Sequence, residues 1–181
     1  MVLYTIGHSN HTFEKFLALL NENNIHFLVD VRTAPFSKYH HQFNKDELQN
    51  KLQTTDIEYV FAGQYLGGRP KDPSCYRHHE VLEESADYLH EVDYREVMKR
   101  DWFQKGVNRL LELASTDVTA IMCAEENPAE CHRHHLISMF IMENYPEFDV
   151  RHIRGDGTVF GAGSIRISLD PTNVDQPSLF E

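Results

Sequence analysis

Short apolar runs punctuate the chain, each bounded by Gly, Pro or polar clusters. Between most of them apolar residues recur at helical spacing. "VLYTIG" (residues 2–7), "IHFLVDVR" (25–32), "IEYVFAG" (57–63), "VTAIMC" (118–123) and "FDVRHI" (148–153) read as five buried strands. After the first strand, Thr12 is placed to cap a helix whose Phe13, Phe16, Leu17 and Leu20 share one face. "NKDELQNKLQTT" reads as a short helix capped by Asn44, and residues 81–113 as a mixed helical stretch with a break near Asp93. "HLISMFIMENY" closes the series as a helix that turns Leu136, Phe140 and Ile141 to the sheet. Strands alternating with helices imply a single α/β domain, a mostly parallel sheet flanked by helices on both faces. The domain is expected over residues 1–168, with residues 169–181 as a flexible tail.

In such sheets functional groups gather at the carboxyl ends of the strands. Here the strand ends carry the uncommon residues: "GHS" after the first, "DVR" after the second, "QYLGGRP" after the third and "CAEENPAECHRHH" after the fourth. The last of these packs two cysteines, a Glu pair, three histidines and an Arg into thirteen positions.

Charge narrows the function. With 17 Lys and Arg against 28 Asp and Glu, the net charge is -11, which argues against a protein that grips nucleic acid by general electrostatics. A local basic cleft remains compatible with it. Three cysteines make no disulfide framework. Met1 leads straight into a strand-like run with no basic and apolar leader. No apolar stretch approaches the roughly 20 residues needed to cross a bilayer, so a cytoplasmic protein without membrane contact is expected.

"TIGHS", "LVDVRTAPFS", "YLGGRP" and "CAEENPAECHR", in this order, resemble a widespread bacterial family catalogued as domain of unknown function 488. The resemblance implies an α/β fold and brings no settled reaction. "LVDVRTAPF" and a strand ending in Cys123 also resemble rhodaneses, but their loop returns an Arg about five residues after the Cys, whereas Arg133 follows ten positions later. "GGRP" lacks the Lys and spacing of a P-loop.

The site residues therefore rest on chemistry. His8, Glu125, Cys123 and Cys131 are the candidates for catalysis. Glu125 either orients Arg133 or His132 or acts as a general acid–base, and Cys131 is a thiol whose pKa a helix start would lower. Ser9, Arg32, Tyr39, Tyr65, Arg69, His132 and Arg133 are the candidates for binding an anion or a stacked base, with Arg133 expected in the first turn of the next helix. Asp30 either joins this set or simply holds Arg32. No cofactor is expected. The alternative is a transition metal on Cys123, Cys131 and His132 with His8 as fourth ligand, although C-x7-C-H matches no common structural zinc pattern.

Residues 176–180, "QPSLF", resemble the pentapeptide by which bacterial replication and repair proteins dock on the DNA sliding clamp, with Pro177 departing from the preferred Leu. Gln176, Leu179 and Phe180 would carry that contact, the exposed apolar pair needing a groove to receive it. The combined expectation is an enzyme acting on DNA or a phosphate-bearing nucleotide, recruited to the clamp in repair or replication. The alternatives are a non-catalytic phosphate- or nucleic-acid-binding adaptor and a rhodanese-like sulfur-transfer enzyme.

Overall fold

The computed structural model of the protein describes residues 1–81 and 88–165. The boundary expected at residue 168 and the clamp-like motif with Gln176, Leu179 and Phe180 lie outside the described residues. Among these, six strands form one sheet: β1 (Val2–Gly7), β2 (Phe27–Asp30), β3 (Glu58–Phe61), β4 (Thr119–Cys123), β5 (Asp149–Ile153) and β6 (Val159–Gly161). Their spatial order is β3-β2-β4-β1-β5-β6, parallel except for the β5–β6 pair. The α/β class read from the chain is what forms.

Helices cover both faces. On one side α1 (Phe13–Glu22) and α2 (Lys45–Leu52) bury Phe16, Leu19, Leu20, Leu48 and Leu52 against Ile6, Leu28, Ala120 and Met122 of the strands. On the other side lie α3 (Gly63–Leu66), α4 (Tyr88–Glu91), α5 (Tyr94–Met98), α6 (Asp101–Thr116) and α7 (Met139–Asn144). There Phe103, Val107, Ile137 and Ile141 pack on Leu3, Val29, Ile121 and Val150. Alternate residues of β4 thus serve the two cores, which is why its run is apolar throughout. Each fully buried Leu or Phe contributes about 1.5–3 kcal/mol.

Local chemistry explains the element ends. Thr12 caps α1 by accepting from the Lys15 N–H at 3.2 Å. The break near Asp93 is a helix start: its carboxylate accepts from the Arg95 and Glu96 N–H groups at 3.0 and 3.2 Å. Asn44 precedes α2 without capping it, because its side-chain oxygen accepts instead from the Ser37 N–H at 2.7 Å. The sixth strand was not expected. It returns through "RGDGT", an Asp-Gly hairpin turn in which Gly157 takes φ 90°, a conformation that most residues resist.

Topology then fixes where a cleft opens. The chain leaves β1 and β2 toward the α1–α2 face and leaves β4, which lies between them, toward the α7 face. Neighbouring strands whose connections part to opposite faces leave a crevice at their carboxyl ends.

Candidate functional site

That crevice is a cleft of about 730 Å³ lined by the four strand-end segments. β1 contributes His8, Ser9 and Asn10, and the segment after β2 contributes Arg32, Thr33, Ala34, Phe36, Ser37 and His40. The loop beyond α3 contributes Gly68, Arg69, Pro70 and Lys71. β4 and its loop contribute Cys123, Ala124, Glu125 and His132, while Tyr76, Val81 and Tyr88 close one side. The floor is knitted by backbone bonds from His8 N–H to the Cys123 carbonyl at 2.9 Å and from Ser9 N–H to the Ala124 carbonyl at 2.8 Å. Ser9 holds φ 46°, an uncommon value outside glycine. Gly7 is required just before it, since a Cβ there would lie 1.9 Å from the Glu125 carbonyl oxygen.

Two buried polar groupings meet at this floor. The first belongs to β2. Arg32 donates through Nε and Nη2 to the two oxygens of Asp30 at 2.9 and 2.6 Å, and Nη2 also donates to the Phe43 carbonyl at 2.8 Å. Tyr59 donates its hydroxyl to Asp30 at 2.7 Å. Arg32 Nη1 donates to His8 Nε2 at 3.1 Å, which assigns the His8 proton to Nδ1, where it reaches the Ser9 carbonyl at 2.9 Å. Burial, reinforced by the Arg32 charge, lowers the His8 pKa to about 4, so the ring is neutral near pH 7 with its only lone pair committed to Arg32. The ring also stacks on Phe43 at 4.4 Å. Of the two roles left open for Asp30, the geometry is that of holding Arg32.

The second grouping belongs to β4 and the loop after it. Cys123 Sγ and Cys131 Sγ lie 3.0 and 3.1 Å from one oxygen of Glu125. His132 Nδ1 lies 3.6 Å from Cys123 Sγ and 3.8 Å from Cys131 Sγ. The far nitrogen, Nε2, donates to the Val31 carbonyl at 3.0 Å, so the Nδ1 lone pair faces the sulfurs. Tyr88 reaches the other Glu125 oxygen at 3.4 Å.

Burial pushes the Cys123 thiol up, with Cys131 and Glu125 adding to it. Burial opposes ionisation of Cys131 too, but the Cys123 hydrogen bond and the charges of His132 and Arg133 outweigh it and hold its pKa well down. His132 moves the other way. Its burial is overcome by Cys131 and Glu125, and its pKa rises. Glu125 is raised chiefly by burial and then by Cys131.

The expected site residues divide. His8, Ser9, Arg32, Arg69, Cys123, Glu125 and His132 line the cleft. Cys131 stands directly behind Cys123 and is fully buried. Tyr39 and Tyr65 are solvent-exposed side chains that do not line it. Arg133 does not line it either. It is fully buried, with Nε on Thr5 Oγ1 at 3.2 Å, Nη1 on the Glu125 carbonyl and Nη2 on the Glu126 carbonyl at 2.7 Å. Nor is it in the first turn of an α-helix. Cys131 is extended, and Arg133 opens a π-helical turn (Arg133–Ser138) that leads into α7. An anion therefore has no ready cradle at that turn, and Arg133 fixes the shape of the 124–126 loop instead. Lining residues that the sequence reading did not single out include Tyr88, Tyr76 and Phe36, and also His40 and Lys71, which lie in loops read only as a mixed aromatic and cationic lining. Lys71 lies within the flagged Gly/Pro loop, whereas Tyr88 sits in an unremarkable helical stretch with no local signal.

The fold and this floor define an α/β protein with a strand-end cleft and a buried Cys–Glu–Cys–His grouping. Residues 12–140 match the family model described as Domain of unknown function DUF488, and the chain belongs to that family. The matched span holds Arg32, Arg69, Cys123, Glu125, Cys131 and His132. No curated protein and no solved structure matches the chain. Among the described residues no helix is long and apolar enough to cross a membrane.

Proposed function

We propose that the protein is an enzyme that acts on a nucleotide, free or within DNA, held by its phosphate and its base in the strand-end cleft. One observation carries this reading. A chain of net charge -11 places Arg69, Lys71 and His40 around a single cleft, beside the rings of Tyr88 and Phe36 and above the half-buried carboxyl of Glu125. Cations suit a phosphate, and the exposed Phe36 ring suits stacking. The Arg69 guanidinium lies over the Tyr88 ring, 4.5 Å from its centroid, and this keeps it at the rim. A half-buried carboxyl whose pKa its surroundings raise is a group fitted for proton transfer and exceeds what binding alone requires.

The tail adds a location. Gln176, Leu179 and Phe180 would dock the protein on a bacterial DNA sliding clamp, which already encircles DNA, so the chain itself needs little positive charge. The sulfur-transfer reading has less support: Cys123 Sγ points at a carboxylate, which disfavours its thiolate, and Cys131 is shut off from solvent.

The test is titration of the full chain with nucleoside monophosphates and a short single-stranded oligonucleotide at low and moderate salt, followed by product analysis. Binding is expected in the micromolar range. It should weaken about tenfold in Lys71→Ala and fall with salt. No binding of either probe, or binding indifferent to Lys71, rejects the reading. Loss of clamp affinity in Leu179→Ala/Phe180→Ala, with cleft binding unchanged, is expected for the tail.

A further inference from the structure

The β4 floor gathers more electron pairs than donors: both thiol protons go to Glu125, and the Nδ1 lone pair of His132 is left facing sulfur. Two sulfurs and the Nδ1 lone pair of His132 converge, the atoms of Cys123, Cys131 and His132 all lying within 4.8 Å of each other, and one oxygen of Glu125 lies 3.0 and 3.1 Å from the two sulfurs. In a tetrahedral zinc complex, with Zn–S about 2.3 Å and Zn–N about 2.0–2.1 Å, the sulfur–nitrogen edges are about 3.6 Å. The two edges here are 3.6 and 3.8 Å.

The surroundings are those of a ligand set. His132 donates its other ring N–H to the Val31 carbonyl, the bond that fixes tautomer and orientation in metal-binding histidines. The Arg133 backbone N–H points at Cys131 Sγ at 3.4 Å. The Arg133 guanidinium, fully buried, bonds only to neutral oxygens among the described residues. A buried cation so placed is helped by negative charge nearby; the Glu126 carboxylate supplies some, and sulfurs ionised on a metal would add to it.

We propose that Cys123, Cys131, His132 and Glu125 bind one zinc ion, with Glu125 as the fourth ligand on the cleft side. Thiolate and imidazole donors select zinc over magnesium, calcium or manganese. His8, the fourth ligand expected from the sequence, is instead engaged with Arg32. The ion would tie the end of β4, its loop and the π-helical turn to β2 through Val31. This inference does not depend on what the cleft binds, but with the ion in place Glu125 is a ligand and not the proton-transfer group of the proposed function.

The test uses the full chain. Purified protein should carry about one equivalent of zinc by elemental analysis. After chelation, added cobalt should give the intense near-ultraviolet sulfur-to-cobalt band and tetrahedral visible bands. Cys75→Ser, altering a buried cysteine outside the proposed ligand set, should bind cobalt like the wild type. Glu125→Gln should bind it at least tenfold more weakly, and Cys131→Ser should lose the sulfur band. If Cys131→Ser does not fold, wild-type protein alone decides: its melting temperature should drop on chelation and recover on adding zinc. Wild-type protein free of metal that shows no sulfur-to-cobalt band, or a Cys123–Cys131 disulfide in its place, overturns the proposal. So does full cobalt affinity in Glu125→Gln, which removes the fourth ligand.

Discussion

Asp30, Arg32, Tyr59 and His8 at the end of β2, and Cys123, Glu125, Cys131 and His132 at the end of β4, are both buried polar groupings at the floor of one cleft. They differ in how their donors and acceptors balance. In the β2 set, Arg32 spends its N–H groups on two Asp30 oxygens, a carbonyl and a ring nitrogen, and each acceptor has its donor. In the β4 set the donors fall short: two thiols donate to one carboxylate oxygen, and the His132 lone pair looks at sulfur with no S–H left for it. A balanced set is complete as it stands and serves to shape the cleft. An unbalanced one is completed by something that accepts electron pairs.

The largest effect separating the two should come from Asp30→Ala. It leaves Arg32 buried without its counter-charge, which costs about 3–5 kcal/mol. Replacing both partners, Asp30→Ala with Arg32→Met, should recover a good part of that loss, since an apolar pair carries no desolvation penalty. Urea denaturation measures both. A double variant no more stable than Asp30→Ala would mean that the β2 set is more than a self-contained ion pair.

The same contrast marks where sequence reading works. Strands show as apolar runs because a parallel sheet buries both faces, and the cleft follows from strand-end chemistry. Side-chain direction is not written that way. Arg133 reads as a cation at the start of a helix. Yet Leu136 and Ile137, three and four residues on, are fully buried, and this spacing puts Arg133 on the inward face. The π-helical turn also widens the spacing, so Leu136 and Ile137 both pack inward while the expected Phe140 is only half-buried. The Val31 carbonyl that orients His132 is a contact between residues 31 and 132, beyond any local pattern. For the same reason the pairing of Arg32 with His8 rather than with a ligand stayed hidden.

A third buried grouping tests the comparison through pH. His152 Nδ1 meets Thr5 Oγ1 at 2.7 Å, and its Nε2 meets His134 Nδ1 at 3.0 Å. Phe160 stacks edge-on against the ring, and Arg133 and Arg154 are the nearby cations. Burial first, then His134 and Arg133, lowers the His152 pKa from 6.5 to about 3. The unfolded chain therefore takes up this proton first. The contribution to stability is complete above pH 6.5 and is lost as pH falls from about 6.5 toward 3. His152→Gln should reduce the loss of unfolding free energy between pH 6 and pH 5 by about 1 kcal/mol. Parallel stability–pH curves for variant and wild type would place the acid sensitivity in other groups.

The smallest effect should come from Tyr88→Phe. Its hydroxyl bonds one Glu125 oxygen at 3.4 Å, a long contact, while its ring carries Arg69 at 4.5 Å and meets the His132 ring edge-on at 6.5 Å. Removing the hydroxyl alone should cost about 0.5–1 kcal/mol, the range of an ordinary net hydrogen bond at its weak end. The ring contacts should persist. Tyr88→Ala removes the ring as well. The Arg69 guanidinium then loses its platform and the β4 grouping its cover, so the loss should exceed that of Tyr88→Phe by about 1–2 kcal/mol. Urea denaturation of both variants gives the two costs, and a nucleotide titration shows whether Arg69 still serves the rim. If Tyr88→Phe proves as damaging as Tyr88→Ala, the hydroxyl is a member of the β4 set, and that set is closer to balance than its sulfur and nitrogen lone pairs imply.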